Sequence, residues 1–336
     1  MGYQMVLDLL LIALMFTGHF RPGHLFVYAA LMSVGGSLYW TALPAFLREH
    51  LDKSQLLHAN SLNTALMQGG YLLGAGLAGL CYPVLGAVGS FAVDAGSFAV
   101  GLMGWVLIKR WFADRPRVAE SARVHPGFFK EFSEGLAYAK ANRPLFLLAL
   151  FSLVPAFAAH AVNVLLAGFS KDSLLAGPEG FGLLDMSYGL GAMVCGLLLP
   201  SCLTRMGLRP WLPTAAILGA AAATCLLASA GILATAMGWM ALFSLFTHVA
   251  GIISSTTLQK NCDERMMGRI TSLVSVLKFL VAPILVWLLG SYASGDAGRL
   301  LYEDPLRDGF VVVALFNLTL AVLSLFLVYP VLRRYS

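Results

Sequence analysis

The chain has 336 residues, of which 59% are hydrophobic and only 12% charged, and its mean hydropathy is +0.79. A single soluble core is excluded, because a water-facing domain needs polar surface to cover it, so the solvent is lipid. The net charge of +5 does not signal nucleic-acid binding, since the Lys and Arg residues sit in short connections between apolar runs, where they report topology.

The apolar runs are about 20 residues long and do not alternate, which selects helices over a barrel as the way to satisfy backbone groups inside a bilayer. Hydropathy read against Gly, Pro and charge breaks predicts ten spans, near 3–20, 24–46, 62–82, 88–108, 145–168, 181–203, 211–229, 233–256, 270–291 and 309–331. The first segment lacks a basic n-region and a small-residue cleavage site, so it reads as a span rather than a leader. In the second span Ser33, Ser37 and Trp40 follow a rough helical spacing, forming either a pore-facing stripe or a packed seam. Gly69, Gly70, Gly74, Gly76 and Gly79 line the third, where they permit close helix approach. Asp94, near the outer end of the fourth, reads either as a helix-end group or as part of a substrate or proton path.

The connection 109–143 divides an N-terminal part, 1–108, with four spans, from a C-terminal part, 144–336, with six. Within it Phe128, Phe129, Phe132, Leu136 and Tyr138 alternate with charged residues in a short amphipathic helix along the cytoplasmic surface. The fifth span carries His160 and Asn163 and the eighth His248; each histidine is either bonded to a neighbouring carbonyl or available for proton exchange near neutral pH. Lys278 lies deep in the ninth span, where a cation is costly unless it faces a cavity or a partner. It is the leading site candidate, reading either as a group for anionic substrate or proton coupling, or as a structural pair or a charge that snorkels to the interface.

Positive residues alternate from loop to loop. Arg48, Lys53, the 109–143 connection, Arg205, Arg209, Lys260, Arg265, Arg269, Arg333 and Arg334 fall on one side, against Arg21, Lys171, Arg299 and Arg307 on the other, which places both termini in the cytoplasm. The five cysteines, Cys81, Cys195, Cys202, Cys225 and Cys262, form no C-x-x-C pair and are assigned to packing. His50 and His58 lack metal-ligand spacing, and no Walker, H-E-x-x-H or G-x-S-x-G sequence is present, so no enzyme activity, metal or cofactor is expected. A secondary transport mechanism is the default.

Four segments carry a resemblance: LPAFLREHLDKSQLLHANSLNTALMQGGYLLGAGLAGL at 43–80, FAVDAGSFAVGL at 91–102, FKEFSEGLAYAKANRPLFLLAL at 129–150 and TTLQKNCDERMMGRITSL at 256–273. In their order and spacing the chain resembles the major facilitator superfamily, in the branch of enterobactin-exporter-like and macrolide-efflux-like proteins. The resemblance implies a helical bundle of two six-helix halves around a central cavity, rocking between access states and exporting substrate against protons. It also aligns the first span with the family's third helix, so this sequence is expected to lack the first two helices and the Gly-Asp-Arg-type gating loop. In the second half GLLLPSCLTRMGLRP keeps Arg205 and Arg209 but not the acidic residue of that motif. DERMMGR, with Asp263, Glu264, Arg265, Gly268 and Arg269, resembles the family's loop before its eleventh helix and reads either as a latch between states or as an ordinary basic loop. The mapping places Ser37, His160, Asn163 and His248 on cavity-lining helices.

The reading is a multi-pass inner-membrane transporter, moving a small amphipathic or siderophore-like molecule outward by proton antiport. Its partners are the bilayer, the small molecule and the proton, with no nucleic acid. The alternative is a truncated, non-transporting remnant or a membrane assembly subunit.

Overall fold

A computed structural model describes residues 2–112, 133, 136–138, 141–207, 209–294 and 304–335. Among these residues the chain is helical, with no strand. The helices are α1 (Gly2–Phe16), α2 (Gly23–His50), α3 (Leu56–Phe112), α4 (Arg143–Phe151), α5 (Val154–Gly168), α6 (Gly177–Met206), α7 (Leu212–Ala228), α8 (Leu233–Asn261), α9 (Glu264–Ser294), α10 (Pro305–Leu327) and α11 (Tyr329–Tyr335).

Seven segments among the described residues are long and apolar enough to cross a bilayer, and they match seven of the expected spans: Gly23–His50, Val84–Leu107, Arg143–Ser173, Glu179–Arg205, Leu233–Asn261, Met266–Tyr292 and Pro305–Leu327. The shorter apolar helices Gly2–Phe16 and Leu212–Ala228 coincide with two more. The expected span 62–82 lies on the first arm of α3, where the side chains of Leu73 and residues 75–83, including Gly76, Gly79 and Cys81, lie outside the described residues. Helix α3 is interrupted at Gly86, whose φ of 65° and ψ of −170° are open to glycine and strained for other residues, so the break falls between the third and fourth expected spans. Most of the 109–143 connection, with Phe128, Phe129 and Phe132, also lies outside the described residues. Its described Leu136 and Tyr138 pack against a protein core that includes Leu145, Leu148 and Met267.

The expected span 145–168 is divided into α4 and α5. Pro155 stands at the start of α5 and has no N–H to continue the ladder from α4, while the Ser152 hydroxyl donates to the Ala149 carbonyl at 2.6 Å. Beyond α5 the chain tightens into a π-turn, Phe169–Ser173.

The chain forms two compact units, Met1–Leu43 with Leu73–Phe128, and Pro44–Leu72 with Phe129–Ser336. In the first, the Tyr3 hydroxyl donates to the Leu31 carbonyl at 3.2 Å and Gln4 lies against Gly35, while Gly2 approaches Leu102. Tyr28 of α2 meets Phe91 of α3 edge to face, 5.5 Å between ring centroids.

In the second unit α8 is the central helix, packed on α6 and α7, with α10 against α7 and α5 against α9 and α10. Phe169, Phe243 and Phe310, all fully buried, anchor its core beside Leu165, Leu166 and Leu227. Helix separation is set by small residues: a Cβ added to Gly191 of α6 would strike the Ala241 carbonyl of α8, and one on Gly196 would strike the Ser61 carbonyl of α3. Thr214 and Ser324, both buried, hydrogen-bond at 2.9 Å and tie α7 to α10. Gly191→Leu is therefore expected to force these backbones apart and to destabilise the unit by about 1–3 kcal/mol. In a background with the exposed Cys202 and Cys225 changed to Ser, a thiol dye that reacts with Cys262 on heating reads this out, because that thiol is 3% exposed and burial, reinforced by the Asp263 carboxylate, pushes its pKa up to about 12. Cys195 is also buried, as packing requires, whereas Cys202 and Cys225 stand on exposed helix faces, which corrects their assignment to packing.

Candidate functional site

Helix α5 presents His160 and Asn163 three residues apart, and the packed helix α9 presents Lys278; all three are exposed on the surface of their unit. His160 and Lys278 lie within electrostatic reach of each other. Helical periodicity explains the first pair, since residues three apart share a face. A cation at mid-span costs about 2.5–3.5 kcal/mol on insertion scales, a cost that water, a polar neighbour or snorkelling to the interface offsets. The arrangement is a polar face that can hold an anionic or hydrogen-bonding group.

His248 stands inside the helix packing of the second unit. Its Nδ1 sits 2.8 Å from the Ser244 carbonyl of its own helix, and its ring meets Tyr188 edge to face at 5.5 Å. Ser244 in turn donates to the Tyr188 carbonyl at 2.5 Å, so histidine, serine and tyrosine form one joint between α6 and α8. The Ser37 side chain lies outside the described residues.

The expected gate residues divide. Helix α9 starts at Glu264, so most of DERMMGR is helical and only Asp263 precedes the helix. The Asp263 N–H donates to the Tyr138 hydroxyl at 3.4 Å, and Arg269 Nη1 reaches the Met266 sulfur at 3.3 Å. Gly268 has open space where a Cβ would stand, and the side chains of Glu264 and Arg265 lie outside the described residues. Arg205 is exposed in the last turn of α6, which ends at Gly207 with φ of 74°. Nearby, the Asn60 amide donates to Thr256 Oγ1 at 2.9 Å and Gln259 Oε1 at 2.8 Å, fastening the start of α3 to the end of α8. A cavity of about 130 Å³ beside this joint is lined by His58, Thr204, Thr256 and Lys260. It is smaller than the roughly 300–1,000 Å³ of small-molecule sites.

Two constellations were not singled out in the sequence. Arg307 donates to the Ala228 and Ala230 carbonyls at 2.8 and 2.9 Å and pairs with Asp304 at 3.3 Å. Its guanidinium also lies 5.4 Å from the Phe169 ring centre. Asp304 accepts from the Leu306 N–H as the cap of α10 and from the Ser173 hydroxyl, so three chain turns are held by one ion pair. In the first unit, Tyr28 of α2 donates to Asp8 of α1 at 2.5 Å, and Asp94 of α3 lies within electrostatic reach of both.

Residues 5–286 match the sequence profile of the Major Facilitator Superfamily. The chain belongs to that superfamily. Macrolide efflux protein A of Enterococcus faecalis is 23% identical over 168 residues, which is 50% of each chain. Macrolide efflux protein A of Streptococcus pyogenes matches at the same identity over 50% of this chain and 40% of its own. These alignments thus span half or less of the curated relatives. The crystal structure of a bacterial homologue of the iron transporter ferroportin in its outward-facing state aligns with 99% of this chain and 82% of its own, at a TM-score of 0.69 and 15% identity. That likeness is one of fold: a multi-pass, all-helical membrane bundle of the major facilitator type.

Proposed function

We propose that this major facilitator chain is a secondary transporter of the exporter kind, moving a small amphipathic or siderophore-like molecule out of the cell in exchange for protons. The observation that carries the reading is the exposed polar face of His160, Asn163 and Lys278 within helices apolar enough to span a bilayer. Charge at that depth is sustained by a solute path. The similarity to macrolide efflux proteins supports the exporter direction. The alternating distribution of Lys and Arg supports an inner-membrane topology with both termini and the 109–143 connection in the cytoplasm, and ten spans divided four and six about it. Asp263 and Arg205 lie at helix ends on that side and Arg269 in the second turn of α9, where ion-pair exchange between states acts as a latch.

Expression in an efflux-deficient bacterial host tests the reading, with a fluorescent macrolide as the probe. Cells carrying the chain are expected to accumulate less probe than empty-vector cells, and a protonophore is expected to erase the difference. Equal accumulation in both strains, with the chain correctly inserted, would contradict an exporter of macrolide-like compounds.

A further inference from the structure

We propose that Asp8, hydrogen-bonded by Tyr28 and within electrostatic reach of Asp94, is a proton-binding site among the apolar helices of the first unit. Asp8 is 0% exposed. Its Oδ1 accepts from the Tyr28 hydroxyl at 2.5 Å, while its buried Oδ2 has no hydrogen-bond partner among the described residues. The titratable groups that face it among the described residues are Tyr28 from α2 and Asp94 from α3, and neither supplies positive charge. Tyr28 is itself held by the edge of Phe91, so the donor is fixed rather than searching.

A buried ionised carboxylate with one oxygen unpaired and a second carboxylate in range is far more costly than one that has taken up a proton. The missing partner is supplied by the proton itself. It adds to the free Oδ2 lone pair, the Asp8 carboxylate becomes a neutral acid, and Oδ1 remains the acceptor for Tyr28. Release reverses the step by returning the proton to water, with no other reactant. A metal ion fits poorly, since hard cations take about six oxygen ligands and no group of three or more His, Cys, Asp or Glu stands together among the described residues.

That this proton is the one exchanged for substrate rests on the proposed function; the proton site itself does not. The test is therefore independent of transport: infrared difference spectra of the full chain in lipid nanodiscs, recorded as the pH is lowered. A carboxylic-acid carbonyl band is expected in the wild-type chain, absent in Asp8→Asn and retained in Asp94→Asn. In Tyr28→Phe the band is expected at higher frequency, because the carbonyl oxygen loses its donor. If Asp8→Asn fails to insert, the Tyr28→Phe shift decides alone. A band unchanged in both Asp8→Asn and Tyr28→Phe, lost only in Asp94→Asn, or suppressed by sodium ions at constant pH would overturn the proposal. If the site behaves as described while probe export proves independent of protons, the antiport reading falls and the proton site stands.

Discussion

Lys278→Ala is expected to lower substrate transport roughly tenfold or more while leaving the amount of inserted protein unchanged, because a charge-assisted contact is worth about 1.5–3 kcal/mol. The location decides it: Lys278 is exposed on α9, within electrostatic reach of His160 of the packed helix α5. An alanine there removes a charge that is costly in a bilayer, so insertion is not harmed and even eased. A purely structural lysine gives the reverse pattern, with reduced insertion and unchanged transport per molecule. Measuring both quantities on the same vesicles separates the two. Lys278→Arg, which keeps the charge, is expected to recover part of the loss.

Arg307→Ala is expected to destabilise the second unit by about 2–4 kcal/mol. The substitution strands two carbonyls, Ala228 and Ala230, and leaves Asp304 without its cation. Arg307 is 16% exposed on its side chain, so little water replaces what is lost. Lysine is expected to restore only part of this, since its single ammonium cannot satisfy both carbonyls in the planar fork geometry of a guanidinium. Thermal unfolding of purified protein checks the order wild type, Arg307→Lys, Arg307→Ala; equal midpoints for all three would show that the knot carries no stability.

The helices were legible in the sequence because hydropathy and charge breaks are local. Lys278 stood out for the same reason, as one charge in a long apolar run. His248 shows where local reading stops: the sequence offers a histidine without a partner, and only the rotamer brings Nδ1 to the Ser244 carbonyl. Arg307 registered as a loop charge, because its acceptor carbonyls arrive from 79 and 77 residues away. Asp8 passed unnoticed within LDLLLIAL, near enough to the chain start to resemble an ordinary polar residue, and its donor Tyr28 lies on the next helix. The joint of Asn60 with Gln259 spans 199 residues and left no local trace at all. The expected span 270–291 lies within the apolar segment Met266–Tyr292, but helix α9 itself begins at Glu264, because the charged residues of DERMMGR read locally as a turn.

The most direct measurement of the central claim is probe uptake into proteoliposomes holding the purified chain, under an imposed pH gradient. With the lumen acidic, antiport predicts macrolide accumulation above that of protein-free liposomes, collapse of that excess on adding a protonophore, and a much smaller excess for Lys278→Ala. Accumulation no greater than in protein-free liposomes, from a preparation with intact thermal unfolding, would contradict proton-coupled transport by this chain.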